Sequence, residues 1–335
     1  VIVEQVRETV RLRGLMGEDD LPTRMVVAMI SGGRDSVCLL DVAVALRKAG
    51  SVRALHVNYG LRGEASDADE RYCAGLCESL GVELEIFRAR RTEGDAGNFQ
   101  AWARDVRYAA AMTLAEGLDA RVDAKGRQAS PTLVAVGHTA SDQVETILYR
   151  LSASPGRRAL LGMSAAEGRL VRPLLGVTRE QTGEYCQARG LRWREDASND
   201  SDAYARGRVR HGLGVALREV HPAAEANVLR TAALLREETE LLDGLVTDTL
   251  VGERSIALAR LRELPSALAR LVVVRLAEQA AGTYVPQAGD RVRELLELGE
   301  RSGSGTGGSL DLHIGGNVSA RIEDGVLSMV RLPPR

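Results

Sequence analysis

The chain has 335 residues, 44% hydrophobic and 27% charged, an ordinary globular composition with room for two domains. Its 44 basic residues are offset by 46 acidic ones, so it is not a basic module that holds nucleic acid by bulk charge. No apolar run reaches the roughly 18–20 residues of a membrane span, and the first residues lack a signal-peptide core, so a cytoplasmic protein with no membrane partner is expected.

From residue 25 to 200, short apolar runs alternate with helical patterns. MVVAMI (25–30) predicts a buried strand. A polar string follows, then VCLLDVAVAL (37–46), closed by Arg47, Lys48 and Gly50: cations in the last turn and a glycine beyond it end a helix. Next come a strand at RALHVN (53–58), a helix near 66–80, a strand at VELEIF (82–87) and a helix near 98–116. Residues 119–131 lack periodicity and read as a polar surface insertion. TLVAVGH (132–138) predicts a strand, followed by a helix near 141–151, and RLVRPLL (169–175) with a helix near 178–189 completes this half. Runs apolar on both faces, separated by helices, predict an α/β, doubly wound parallel sheet. Cys73 and Cys77 share a helix face with Leu76 and Leu80, which makes them small core residues.

Ten of the eleven aromatic residues lie at or before Tyr204, and composition shifts after about 205. His221 to Leu250 reads as one long helix, 264–280 as another, and the tail from 308 alternates like short strands. The boundary is placed near 215, giving an α/β domain over 1–215 and a smaller, mainly helical domain over 216–335.

The strongest chemical signal is Ser31-Gly32-Gly33-Arg34-Asp35-Ser36, which follows a buried strand and opens a helix. There, backbone N–H groups and the helix dipole favour an anion. Two glycines let the backbone approach phosphate, Ser31 and Ser36 add hydroxyl donors, and Asp35 can hold a Mg²⁺ that offsets phosphate charge. The bland alternative, a tight strand-to-helix turn, does not account for the whole string. Only two lysines occur, neither after glycine, so a Walker A loop is excluded. The string at 303–308 fits GxGxxG but follows a helical stretch and leads into a strand-like one, the reverse of a dinucleotide fingerprint.

Further on, His138, Asp142 and Glu145 fall at i, i+4 and i+7, one face of a helix that starts where a strand ends. Open α/β sheets bind ligands at that edge. A helix cap plus a solvated acidic face is the competing reading. Arg104 and Arg107 lie three apart on one helix, and Arg206, Arg208 and Arg210 cluster in a polar stretch. Contact with phosphate, or plain surface solubility, would suit either group.

The loop resembles that of the N-type ATP pyrophosphatases. His56-Val-Asn58-Tyr59-Gly60-Leu61-Arg62 resembles HVNHGLR of the tRNA(Ile)-lysidine synthetases, and residues 137–146 resemble their GHHxDDQxET. Ala103-Arg104 through Arg107-Tyr108 is similar to ARxxRY, residues 172–175 to RPLL, and 193–211 to WxEDxSNxxxxxxRNxxRH. The resemblance implies a ligase that adenylates C2 of the wobble cytidine in the CAU-anticodon isoleucine tRNA, then joins the ε-amine of L-lysine to it, releasing AMP and pyrophosphate. It implies ATP and Mg²⁺ held by residues 31–36 and His56, with Asp35 on the metal. Asp35, Arg104, His138, Asp142, Glu145 and Arg206 become catalytic candidates, and residues 216–335 a tRNA-binding domain. The resemblance also allows for a homodimer, and matches relatives with one C-terminal domain rather than two. Departures occur at Tyr59 and Thr139 (family His), Ser141 (Asp), Gln100 (Glu) and Gly207 (Asn). Ser141 can cap its own helix in place of Asp. A tRNA sulfurtransferase sharing the loop, or a non-catalytic tRNA-binding relative, are the alternatives; Cys73 and Cys77 are not a CxxC pair, which weighs against the first.

Overall fold

The computed structural model describes residues 2–13, 15, 24–91, 99–123, 130–153, 156–195, 205–302 and 309–333. The chain divides into two compact units, residues 1–232 and 233–335. In chain order the first unit holds α1 (Ile2–Leu12), β1 (Val26–Met29), α2 (Arg34–Arg47), β2 (Val52–Asn58), α3 (Glu64–Ser79), β3 (Glu83–Arg88) and α4 (Phe99–Asp123). These are followed by β4 (Leu133–Ala135), α5 (Ala140–Ala153), α6 (Arg157–Leu160), β5 (Ala166–Glu167), β6 (Leu170–Val171), α7 (Arg179–Ala188), α8 (Ala205–Arg208) and α9 (Gly214–Val220).

Six strands form one sheet in the order β3-β2-β1-β4-β6-β5. All neighbours run parallel except β5, which is antiparallel to β6. Period-two alternation sends successive side chains to opposite faces. Val26 and Ala28 of β1 pack with α1, α2, α3 and α7 residues such as Val6, Leu39, Cys73 and Cys186. Val27 and Met29 instead meet Leu55, Val134 and Val136 and the α4 residues Ala111, Ala115 and Leu118. Helix α2 is buried over most of its circumference, as a run apolar at every position from 37 to 46 but Asp41 requires. Cys73, Leu76 and Cys77 are core residues of α3.

The chain leaves β1 toward β2 and β3 and later returns to β4 on the other side, so the β1–β4 border is a topological switch point. Open α/β sheets bind ligands at such borders, beyond the carboxyl ends of the strands. Helix α4 runs to Asp123, past the start of the expected insertion. Its extension is held by Asp119, whose carboxylate accepts from Thr132 N at 2.8 Å and Thr132 Oγ1 at 2.6 Å and pairs with Arg169. The rest of that insertion, 124–129, lies outside the described residues.

Helix α10 (Ala224–Leu250) spans the division between the units. The second unit continues with β7 (Ser255–Ala257), α11 (Leu258–Glu263), α12 (Ser266–Ala281), α13 (Val292–Ser302), β8 (Leu310–Gly315), β9 (Val318–Glu323) and β10 (Val326–Arg331). Its sheet is antiparallel, in the order β7-β10-β9-β8, around a core of Val272, Val273, Leu276, Leu295, Ile322 and Leu327. The 303–308 glycine string lies outside the described residues. Among the described residues no helix is long and apolar enough to cross a membrane.

Candidate active site

The strand β1 ends in the loop 31–36, and α2 starts at Arg34 with Gly33 as its cap and no side-chain capping hydrogen bond. The first amides of a fourteen-residue helix thus open toward the loop, where its dipole favours an anion. The loop is braced from inside. Ser36 Oγ donates to Gly33 O at 2.8 Å and accepts from Ser31 N at 3.1 Å, and the two serine hydroxyls lie 3.2 Å apart. Gly32 has φ +86°, a left-handed conformation that L side chains rarely adopt. Gly137, just past β4, crosses the loop so closely that a Cβ there would stand 3.1 Å from Asp35 O. On the other side Arg194 N donates to Gly32 O at 2.9 Å, which fastens the Trp193–Glu195 segment to the loop.

The loop opens into a cavity of about 980 Å³. Leu55, Val57 and Tyr59 line it from alternate positions of β2 and its continuation. Gln100, Ala103, Arg104, Arg107 and Tyr108 line it from one face of α4, at helical spacing. His138, Asp142, Arg179 and Arg210 line its far side. Arg104 stacks over the Tyr108 ring, 4.7 Å from its centroid.

That far side is a network of charges. Arg179 Nη2 donates to Asp142 Oδ1 at 3.0 Å, its Nη1 donates to Glu145 Oε1 at 3.1 Å, and its Nε stands 3.7 Å from Asp35 Oδ2. Arg210 holds Glu145 in a bidentate pair at 2.7 and 3.1 Å. Thr182 Oγ1, one turn along α7, donates to Asp35 Oδ1 at 2.5 Å. Helix α7 is held in place for this by buried Asp41 of α2, which accepts from Tyr185 Oη at 2.6 Å and Arg189 Nε at 3.0 Å.

The charges respond to their settings. Burial and the neighbouring Asp142 push Asp35 above the usual carboxylate range, against the Thr182 hydrogen bond and the Arg34 and Arg179 charges. Glu145 goes the other way: burial would raise it, but Arg210 and Arg179 outweigh that and hold it below the ordinary value. Burial disfavours the Arg179 cation, but three carboxylates more than compensate.

The structure brings Ser31, Gly33, Arg34, Asp35, Ser36, Arg104, His138 and Asp142 to the cavity wall, and Glu145 directly behind it. Three expectations change. His138 is not on the helix: α5 starts at Ala140, because Thr139 Oγ1 accepts from Asp142 N at 3.3 Å while Asp142 Oδ2 accepts from Thr139 N at 2.8 Å. Ser141 does not cap its own helix; its Oγ accepts from Arg179 N at 3.2 Å, at the start of α7. His56 projects to the face of β2 opposite Leu55 and Val57, where Nδ1 lies 3.0 Å from Ile30 O and 3.5 Å from Cys73 Sγ. It supports the strand leading into the loop rather than lining the cavity. The Arg206 side chain and residues 196–200 lie outside the described set. Arg179 was not among the sequence candidates. Its signal was there: an arginine as the first residue of a helix opposes the dipole and calls for a compensating anion.

The PP-loop domain family matches residues 6–217. A tRNA(Ile)-lysidine synthase of Symbiobacterium thermophilum is 35% identical over 323 residues, 90% of this chain and 64% of that protein. One from Pseudomonas fluorescens is 38% identical over 222 residues, 64% of this chain and 47% of that protein. The chain therefore spans less than two thirds of the length of these curated relatives. Among solved structures, the U34-tRNA thiolase NcsA from Methanococcus maripaludis with its [4Fe-4S] cluster superposes with TM-score 0.51 at 18% identity, covering 70% of this chain and 80% of that one, a likeness of fold.

Proposed function

We propose, given that the chain belongs to the PP-loop domain family, that it is an ATP-dependent ligase which converts the wobble cytidine of the CAU-anticodon isoleucine tRNA to lysidine in the cytoplasm. One observation carries this reading. The glycine loop at the start of α2, the arginine face of α4 and the Asp35–Asp142–Arg179 network open into a single cavity, and lysidine synthases are similar to this chain over 90% and 64% of its length.

Cytosine O2 attacks the α-phosphorus of ATP, an O–P bond forms and pyrophosphate leaves. The lysine ε-amine then attacks C2, a C–N bond forms, and the C2–O bond breaks as AMP leaves with the amine proton passing to a base. The amides at the start of α2 hold the departing pyrophosphate, and Arg104 and Arg107 face the charge that develops at the α-phosphate. Glu145 is a poor proton acceptor because two arginines occupy it, so it positions Arg179 and Arg210. His138, on the cavity wall, is the better-placed acceptor for the amine proton.

The donor set fits a phosphate-borne Mg²⁺. Asp35 and Asp142 share Arg179, with Arg34 beside the first and Arg210 beside the second, yet Asp35 is still pushed toward binding a proton, so a further positive charge is favoured there. Mg²⁺ asks for one or two carboxylates beside phosphate oxygens and water, and when bound it would neutralise the phosphate charge. The four cysteines are buried, and among the described residues no three His, Cys, Asp or Glu side chains form a ligand group, which favours the ligase over a cluster-dependent thiolase.

We further propose that catalysis belongs to residues 1–215 and that residues 216–335 add tRNA-binding surface, since a base held in the cavity leaves most of a tRNA outside it. The test is AMP release from ATP with the CAU tRNA, with and without lysine. Lysine-dependent AMP release, with lysidine at the wobble position, is expected. AMP release that depends on a sulfur donor, or none at all, refutes the assignment.

A further inference from the structure

The chain is poor in aromatic residues: two Trp, seven Tyr and two Phe in 335. Yet Tyr59, Phe99, Tyr108 and Trp193 all line the one cavity, and Trp102 packs on two of them. Trp193 and Tyr108 also pack against the sheet core, whereas Tyr59, Phe99 and Trp102 belong to no core cluster.

Three of these rings, Tyr59, Phe99 and Trp102, form a cluster, and the first two line the cavity. The Tyr59 and Phe99 centroids lie 6.2 Å apart edge to face, Tyr59 and Trp102 5.8 Å apart, and Phe99 and Trp102 5.6 Å apart. Phe99 and Trp102 are one turn apart on α4, and Tyr59 Oη is anchored by donating to Ala103 O at 2.9 Å. The hydroxyl is thereby spent and burial pushes it away from ionisation, so the ring is what Tyr59 offers the cavity. The Arg91 guanidinium stands 5.9 Å from both the Phe99 and Trp102 centroids. All three rings are only half-buried.

Half-buried rings packed edge to face or tilted, with a guanidinium over two of them and two of them lining a cavity, are what proteins use to hold unstacked bases of single-stranded RNA. A base lifted out of its loop loses its stacking neighbours, and aromatic faces replace them. We infer that Tyr59, Phe99 and Trp102 form a stacking wall for a nucleobase of the substrate RNA beside the reacting one. This deepens the proposed function and rests on its RNA substrate. The wall stands after β2 and at the start of α4, whereas the Asp35–Asp142–Arg179 network stands after β1, β4 and β6. The stacked base is therefore a neighbour of the reacting base and takes no part in the chemistry.

The full chain carrying Trp193→Phe keeps Trp102 as its single tryptophan, excited at the red edge of the absorption band where the seven tyrosines do not absorb. It is titrated with an anticodon stem-loop RNA bearing the CAU loop, with binding followed independently by anisotropy of the labelled RNA. Saturable quenching of Trp102 is expected. In the otherwise unchanged chain, Trp102→Leu should weaken RNA binding by roughly tenfold, the loss of one stacked base, while Trp102→Phe retains most of it. ATP affinity should stay within about twofold. RNA that binds without quenching, or binds Trp102→Leu as well as the unsubstituted chain, overturns the wall and leaves the ligase reading intact. A selective loss of ATP affinity in Trp102→Leu also overturns it, since the rings would then serve adenine. Failure of the unsubstituted chain to bind the RNA at all sinks the ligase reading itself. Should Trp102→Leu not fold, the quenching titration decides alone, because it leaves Trp102 in place.

Discussion

Arg179 is the residue on which most of the site's electrostatics converge, and Arg179→Met removes the charge while leaving much of the volume. Asp142 and Glu145 are each 7% exposed, and they lose partners at 3.0 and 3.1 Å. Breaking a buried ion pair costs about 3–5 kcal/mol, because the charge left behind stays desolvated. Arg210 keeps its bidentate hold on Glu145 and stands 3.9 Å from Asp142, so the lower end of that range, about 3 kcal/mol, applies. In a unit of this size that shifts Tm down by roughly 6–12 °C. The sign with pH follows from Glu145. Its folded-state pKa is depressed, so its stabilising contribution is present above the unfolded value and is lost as pH falls through the folded one. Removing Arg179 weakens that depression, so the deficit of the variant is full at neutral pH and shrinks on acidification below the ordinary carboxylate pKa of about 4.3. Thermal denaturation of both proteins at pH 7.5 and at pH 4 checks this. An unchanged Tm at pH 7.5, or a deficit equal at both pH values, would refute the reasoning.

Asp35→Asn should abolish AMP formation from ATP without lowering Tm. The carboxylate is disfavoured by burial and by Asp142, and the amide oxygen can still accept from Thr182; a fall in Tm of several degrees would count against this balance. By the same sign rule, the ionised form of Asp35 detracts from stability, and that penalty disappears as pH falls through its raised folded-state pKa. Gly33→Val should leave folding intact and abolish ATP binding by calorimetry, since Gly33 is extended and faces the cavity. Gly32→Ala should instead lower Tm, because its positive φ is strained for any side chain, by about 1–2 kcal/mol. Gly137→Ala should weaken ATP binding by pushing on the Asp35 backbone; unchanged affinity would show that the loop can give way.

The sheet and its helices were legible because β1 and β4 are apolar on both faces and α2 is apolar nearly all round, patterns with few other uses. The loop was legible because its six residues are contiguous. What escaped was assembled across the sheet. Arg179 and Thr182 meet Asp35 because β6 lies beside β4 and α7 is tied to α2 through Asp41; the cation at the first position of α7 calls for an anion, but no local pattern says which. Two misreadings, by contrast, were avoidable. Strand parity alone places His56 opposite Leu55 and Val57, and Thr139-x-x-Asp142 is a capping signature that takes His138 out of the helix. Asp119 was hidden for another reason: a polar stretch gives no periodicity whether it is helix or loop, and its partners Thr132 and Arg169 lie well beyond it in the chain.

The departures from the lysidine synthetase motifs bear on whether the site is intact or decayed. A decayed site leaves substituted side chains idle, but three of the five departures are employed. Thr139 caps α5 by hydrogen bonding Asp142, and Tyr59 ties β2 to α4 through Ala103 O. Ser141 accepts from Arg179 N, at the one helix start whose first side chain must point back into the carboxylates. Replacing Ser141 by Asp preserves an acceptor there and suits the helix dipole, but sets a second negative charge near Glu145, with Arg179, Arg210 and Arg218 around the same small pocket to offset it. The opposing effects are of similar size, so Ser141→Asp should change lysine-dependent AMP release by no more than about threefold. Ser141→Ala has no such compensation. It strips an acceptor from α7, worth about 1 kcal/mol, and should lower Tm by roughly 2–4 °C. Activity gained only on Ser141→Asp, from a chain that binds ATP and tRNA yet forms no lysidine, would mean that the serine marks a lost group and not a working cap.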